Sequence, residues 1–507
     1  MTMKRSSLLL AISTLLFSFL FYQQKAGINF FLFSILIVAI LAIDDSKRLK
    51  DKYWLIFALL SIISGFFVGV HGTVASVLAN ITALSVLACR TFLPKVSFFT
   101  SVIFAFFSYI SSFIYLIIDL TNKSNSAKSS KNDAVNTTDK SEVKKARLDL
   151  GAKIIIGIII LVVLIVFISL YRKASPVFKE FTNNINLDFI SYNWIVFTFW
   201  GFLLMYGFFF IRYDKKTYEN DINAPYRLAA EGNNIKNSSF LGISMDIQSE
   251  ATVIMIFLGL LNLLLFLLNV IDISFMASGG NLPTDVTYSD YVHKGVGTLI
   301  ISVILVIAIV MYFFRGAINF YKNSSVLRLL ANIWLVQNLI LLVATAFRNA
   351  IYISEYDLTY KRIGVYVWLF LTAFGLLTTI YKVVKKCSSW FLIRINGWAF
   401  FVAILFLGTV NWDVVIAKYN TRNSSEFDYE YILRLNDNAL PTLNNALKMM
   451  PVDDDTTYFS DKKIDSFNAY HTKIGVELRI MFFKSEYERG SWKSWNYDDW
   501  VTYNELK

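Results

Sequence analysis

The sequence predicts an all-α fold: a polytopic transmembrane helix bundle of eleven or twelve spans with a small C-terminal extramembrane region. Three observations carry this. Of the 507 residues 56% are hydrophobic and 17% charged, and the mean hydropathy is +0.52; soluble chains are roughly half apolar and a quarter charged. The apolar residues also arrive in blocks near the ~20 residues that cross a hydrocarbon layer of roughly 30 Å. No block alternates with period two over its length, so strands do not explain them.

The blocks meeting the length test are 6–22, 27–43, 53–70, 96–120, 154–171, 192–211, 251–271, 296–314, 327–347, 363–381 and 390–410. A further block, 73–90, is weaker because Ser, Thr and Asn80 dilute it. Lys4 and Arg5 precede the first block, but no small-residue cleavage site follows and another span begins at Gly27, which predicts an uncleaved first helix. Residues 121–153 are rich in Ser, Asn, Lys and Asp, too polar to bury a core, and read as a flexible linker. The expected organisation is therefore an N-terminal transmembrane block (1–120), the linker (121–153), a main bundle (154–410) and the C-terminal region (411–507). Within the main bundle, 212–249 contains Pro225 and Gly232 and reads as a structured loop on the membrane surface. Helix-like patterns recur in the tail at 428–449 and 473–488.

Charge sets the orientation. Lys4, Arg5, Lys47, Arg48, Lys50 and Lys52 favour a cytoplasmic N-terminus and second loop under the positive-inside rule. The loops bearing Arg315, Lys322 and Arg328, and Lys382, Lys385 and Lys386, read as internal, and 272–295, with only Lys294, as external. The two halves agree, with the tail outside, only if one N-terminal block does not cross. The diluted 73–90 is the expected one. The implied location is a cell membrane, with the lipid bilayer as the principal partner.

Polar side chains inside apolar helices are costly and therefore informative. Asn262 and Asn269 are seven residues apart, within about 20° of one helical face, and Asp272 continues that stripe. In 327–347 and just beyond, Arg328 and Asn332 share a face, Asn338, Thr345 and Asn349 share another, and Gln337 and Arg348 a third. The candidate intramembrane polar site is Asn262, Asn269, Asp272, Asn338, Arg348 and Asn349. The bland alternative is that these side chains join helices, at on the order of 1 kcal/mol each. Tyr288 and Tyr291, with Gly295 on the same face, precede a span and read as interface anchors, as does Trp412 after the last span.

Other chemistry is excluded or weak. Cys89 and Cys387 are too far apart for a metal motif or a disulfide framework. His293 has no second histidine or cysteine nearby, and His71 sits at a turn with no evident partner. Asp453, Asp454 and Asp455, with Asp461, read as a solvated turn after Pro451. No P-loop, G-x-G-x-x-G, H-E-x-x-H or G-x-S-x-G pattern occurs, so no metal, cofactor or catalytic constellation is expected. The net charge of +11 lies mainly in short loops, where it serves topology and lipid contact, not nucleic acid.

Five stretches then acquire a common meaning: "YSDYVHKG" (288–295), "RNAIYISEYDLTYKR" (348–362), "NWDVVIAKYN" (411–420), "DYEYILRLNDNALPTL" (428–443) and "SWKSWNY" (491–497). Their order resembles a family of bacterial polytopic membrane proteins catalogued as domain of unknown function four-one-seven-three, over about residues 195–500. The resemblance implies a multi-pass protein whose last span leads into a compact tail, and it carries over no catalytic residue. In that tail Tyr431, Ile432, Leu435, Leu440 and Leu443 form an apolar face that Trp492, Trp495 and Trp500 are expected to cap. Docking of the tail on the bundle is its default reading. The functions in play are transport or lipid handling of a small-molecule or lipid substrate through the polar site, and recruitment of a protein partner through the tail.

Overall fold

Backbone in hydrocarbon has no water to bond, so an apolar run satisfies its N–H and C=O groups internally as helix. A computed structural model of the chain describes residues 3–119, 176–183, 192–229, 237–240, 243–277, 288–315, 317–321, 323–423, 429–449 and 466–507, with scattered positions from 121 to 175. The first half holds α1 (Met3–Phe21), α2 (Ile28–Asp44), α3 (Lys52–His71), α4 (Val74–Phe92), α5 (Phe98–Ile110), α6 (Pro176–Asn183) and α7 (Tyr192–Phe209). A surface helix, α8 (Lys215–Asn223), and a β1–β2 hairpin (Asn237–Phe240, Ile243–Asp246) follow. The second half holds α9 (Ile247–Ala277), α10 (Tyr288–Phe313), α11 (Ser324–Tyr356), α12 (Tyr360–Lys385) and α13 (Ser389–Leu407).

Six of these helices are long and apolar enough to cross a membrane: α3, α4, α9, α11, α12 and α13. Shorter apolar helices occur at Leu8–Phe21, Ile28–Asp44, Asn193–Phe209 and Gly297–Phe313. The protein is a multi-pass membrane protein with an all-α bundle. The expected span at 154–171 lies outside the described residues.

Side-chain caps set the helix boundaries. Asp51 accepts from the Tyr53 N–H at the start of α3, Thr73 from Ser76 at α4, and Ser388 from Phe391 at α13. Gly72, at φ +60°, closes α3 in the left-handed region that suits glycine.

One expectation about the spans is corrected. The diluted block 73–90 forms the full-length helix α4, and its polar residues face inward. Asn80 is fully buried and its Nδ2 donates to Ser34 Oγ (2.9 Å), the Ser61 carbonyl (3.0 Å) and Ser64 Oγ (3.1 Å). Mean hydropathy penalises Asn80 as though it met lipid, whereas it ties α4 to α2 and α3. The segment that departs from a straight span is 96–120: Phe98–Ile110 and Ser112–Asp119 form a pair bent by 67°.

Two large apolar cores organise the bundle. One gathers α1, α2, α3, α4 and α7 around Leu10, Ile37, Leu41, Leu87 and Leu203. The other gathers α9 to α12 around Ile254, Leu258, Val306, Leu335 and Leu376. Helix α13 packs between α4 and α12. Within 212–249 the described residues include an antiparallel hairpin, with Asn237 opposite Asp246, that was not foreseen. Four-residue strands are too short to show a period.

The tail continues as α14 (Trp412–Asn423), α15 (Tyr429–Leu433), a 3₁₀ turn (Asp437–Ala439), α16 (Leu440–Met449), α17 (Ser466–Glu488) and α18 (Tyr497–Glu505). Pro441 opens α16 instead of breaking it, since the first turn needs no N–H from that position. The expected tryptophan cap is also corrected. Ile432, Leu435 and Leu443 pack on Ile363, Ile416 and Ala417, and Leu440 on Val476, Phe483 and Leu506, while Trp492, Trp495 and Trp500 are exposed.

Candidate functional site

Helices α9 and α11 flank α10 in sequence and run parallel, with their polar residues meeting in one seam. The Asn262 Nδ2 donates to the carbonyls of Leu258 (2.7 Å) and Leu330 (3.0 Å), and its Oδ1 accepts from Gln337 Nε2 at 3.0 Å. Two turns on, Asn269 Nδ2 donates to the Gln337 carbonyl at 3.1 Å. The heptad from Asn262 to Asn269 thus matches the heptad from Leu330 to Gln337. Near the C-terminal end of the seam Arg348 Nη2 pairs with Asp272 Oδ1, and both side chains are buried.

The orientations of these amides are fixed by their surroundings. Carbonyls accept only, so Asn262 and Asn269 must present their nitrogens to them, and Gln337 must donate to the remaining Asn262 oxygen. The seam leaves several acceptors over: among the described residues Gln337 Oε1, Asn269 Oδ1 and Asp272 Oδ2 are buried with no hydrogen-bond partner. Each such group costs ~1–3 kcal/mol unless a donor meets it. Those three oxygens suit species that donate hydrogen bonds.

Four of the six candidate residues converge here: Asn262, Asn269, Asp272 and Arg348. The other two face elsewhere. Asn338 donates to the Trp334 carbonyl of its own helix at 2.8 Å, and Asn349 Nδ2 donates to the Arg362 carbonyl of α12 at 3.2 Å. Gln337, which the facial grouping placed beside Arg348, is the member the sequence reading left out. Leu258 and Leu265 of α9 and Leu327, Ala331, Trp334 and Leu335 of α11 fill the remainder of the contact.

Tyr288 and Tyr291 lie in the first turns of α10, but the placement of their side chains lies outside the described residues, as does that of His293. Trp412 is partly buried. Its Nε1 donates to the Leu407 carbonyl at 3.0 Å, closing the end of α13, and its ring packs into the tail core with Ile416. The Asp453–Asp455 cluster and Asp461 lie outside the described residues.

A second polar cluster joins the tail to the bundle, and sequence reasoning missed it. His71, at the α3–α4 turn, places Nδ1 2.8 Å from Asp498 Oδ2 and Nε2 3.0 Å from the Thr409 carbonyl. The Asn411 Nδ2 also donates to Asp498 Oδ2 at 2.6 Å. Beside it Asp499 accepts from Asn438 (2.7 Å) and Asn496 (2.6 Å). Burial pushes the Asp499 carboxyl up from its ordinary range, and those two amide donors oppose the shift. The segment 492–495 seats on the α1–α2 turn: the Trp495 carbonyl accepts from the Ile28 N–H at 2.8 Å, and Lys493 Nζ donates to the Phe19 carbonyl at 2.7 Å. The tail is docked. Parts of two quoted stretches, "NWD" and "NDNA", meet the residues at and just after the end of "SWKSWNY" at this junction, which is the signal that was available.

The model of the family described as Domain of unknown function (DUF4153) matches residues 5–446. No curated protein and no solved structure matches the chain. The designation of the matching family is not the four-one-seven-three of the family that the quoted stretches resemble; the match also begins well before residue 195, so the N-terminal helices are part of the family domain, and it ends before the 491–497 stretch. The chain belongs to this family.

Proposed function

We propose that this chain, a multi-pass membrane protein of that family, carries out transport or lipid handling through the α9–α11 seam. The observation behind the reading is the row of fixed, unpartnered acceptors ending in the buried Asp272–Arg348 pair. An ionisable pair between spanning helices is a functional candidate on cost alone. The matching substrate feature is a hydrogen-bond-donating ammonium, on a lipid headgroup or on a free amine. The proposed location is the bacterial cytoplasmic membrane.

The test uses the full chain in proteoliposomes with two probes. Short-chain fluorescent phosphatidylethanolamine, labelled on its acyl chain, reports headgroup translocation, and radiolabelled methylamine reports uptake of a free amine. One of the two should move at a rate that depends on the protein and falls at least tenfold in Asp272→Asn and Gln337→Leu. Protein-independent rates for both probes would overturn the reading.

A second reading, recruitment of a protein partner through the tail, is favoured by the exposed aromatic side chains of Trp492, Tyr497 and Trp500 on the docked segment. Photo-crosslinking from position 500 in cells should then capture one defined protein. Crosslinks confined to lipid would remove it.

A further inference from the structure

The 98–119 segment carries an inference independent of the seam. Pro94 and Lys95, the latter at φ +70°, turn the chain out of α4, and Arg90 holds that turn by donating to the Val96 carbonyl at 2.8 Å. From there both ends of α5 bind one polar stretch. The Ser97 N–H donates to Asp221 Oδ2 at 2.8 Å, while Ser108 Oγ accepts from the Arg212 N–H at 2.7 Å. After the bend the chain returns to the same place, where Asp119 pairs with Arg212 and accepts from the Tyr206 hydroxyl.

Arg212 and Asp221 flank the start and lie within the polar helix α8, whose Lys215, Lys216, Glu219 and Asn220 are exposed. A helix crossing ~30 Å of hydrocarbon cannot have both ends on one aqueous stretch. The 13 residues of α5 extend about 20 Å, enough to lie beside that stretch. The bend has a local cause: Ser111 and Ser112 adjoin, and each turns its hydroxyl onto a backbone carbonyl of the preceding turn. Away from α8 the pair exposes a continuous stripe of Phe99, Ile103, Phe106, Phe107, Ile110 and Phe113. A stripe of this kind needs an apolar cover.

We infer that Phe98–Asp119 is a re-entrant element, seated in the acyl chains of the leaflet on the basic side, which enters and leaves the membrane by that one face. The consequences fit the charges along the chain. Lys47, Arg48 and Lys50 after α2, Lys95 after α4, and Lys215 and Lys216 in α8 then share a side, as the positive-inside rule requires. The tail, which touches the α1–α2 and α3–α4 turns, then lies on the opposite, outer face. That face also carries the α11–α12 turn and the end of α13, which the tail touches as well.

Single-cysteine variants of the full chain test this, in a background where the buried Cys89 and Cys387 are replaced by serine. Lys95→Cys, Ser126→Cys, Lys215→Cys and Arg489→Cys are treated with an impermeant maleimide in intact and permeabilised cells. The first three should label only after permeabilisation, and Arg489→Cys before it. Labelling of Lys95→Cys and Ser126→Cys from opposite sides would overturn the inference. Asn125→Cys replaces Ser126→Cys should that variant fail to express.

Discussion

Replacing Asp272 by Asn is the sharpest perturbation of the seam. It leaves the Arg348 guanidinium facing a neutral amide, with side-chain exposures of 9% and 5% for Arg348 and Asp272 in the intact pair. At that burial solvent screening offers little relief. Breaking a buried pair by removing one partner costs ~3–5 kcal/mol. The lower end applies here, because the pair lies near the end of both helices and a freed arginine can extend towards the interface. About 3 kcal/mol is roughly a 150-fold fall in the folded-to-unfolded ratio. The variant with both Asp272→Asn and Arg348→Gln strands no charge, so it should recover most of that loss. The resulting coupling energy is on the order of 2 kcal/mol. Reversible unfolding of the full chain in bicelles, followed by steric trapping, measures all four corners of the cycle. Single variants that each cost less than about 0.5 kcal/mol, or costs that simply add, would refute a desolvated, coupled pair.

Three further outcomes concern the docked tail. In Gly27→Ala the new Cβ would lie 2.4 Å from the Trp495 carbonyl oxygen, so the 492–495 segment must lift away. Protease cleavage after Lys493 should then become many times faster than in the parent chain. His71→Ala removes contacts of 2.8 and 3.0 Å and should weaken docking by roughly 1–3 kcal/mol, seen as faster amide exchange in α18. Unchanged exchange would show that the His71 contacts hold nothing. Asp499 sets a pH slope. Its folded carboxyl titrates above the free value of 3.8, so the docked state binds the proton more tightly than the released one. Docking is fully favoured below 3.8 and loses that contribution as pH rises through the raised value. Exchange in α18 should therefore quicken over that window in the parent chain, and Asp499→Asn should flatten the slope.

The spans were legible because hydrocarbon imposes a length and a composition that few other constraints imitate. The seam was legible in part. Seven-residue spacing put Asn262 and Asn269 on one face, but no count along a single helix gives the register between α9 and α11. Gln337 therefore stayed out of the site, and Asn338 and Asn349 were included although they bond to the Trp334 and Arg362 carbonyls. The misassigned non-crossing block has the same origin. Hydropathy averaged over a window registers Asn80 but not its three partners on α2 and α3, and it registers nothing of the adjacent hydroxyls at Ser111 and Ser112. His71 had no visible partner because Asp498 is 427 residues away.

The seam is also a poor way to hold two helices together, and that bears on its purpose. A buried ion pair is often matched or exceeded in stability by apolar residues of similar volume, and α9 and α11 already supply such residues in Leu258, Leu265, Leu327 and Leu335. Among the described residues, two other carboxylate–guanidinium pairs of the bundle are more exposed on the guanidinium side, Arg212 with Asp119 and Arg315 with Glu250, while Arg394 with Asp221 is equally buried. Asp272 and Arg348 meet across the contact of two long helices. Among the described residues three acceptors in the same seam stay unsatisfied, so the polar residues there do not complete one another. Stability accounts for the leucines; it does not account for Asn269, Asp272, Gln337 and Arg348 among them. A species that donates to those oxygens would.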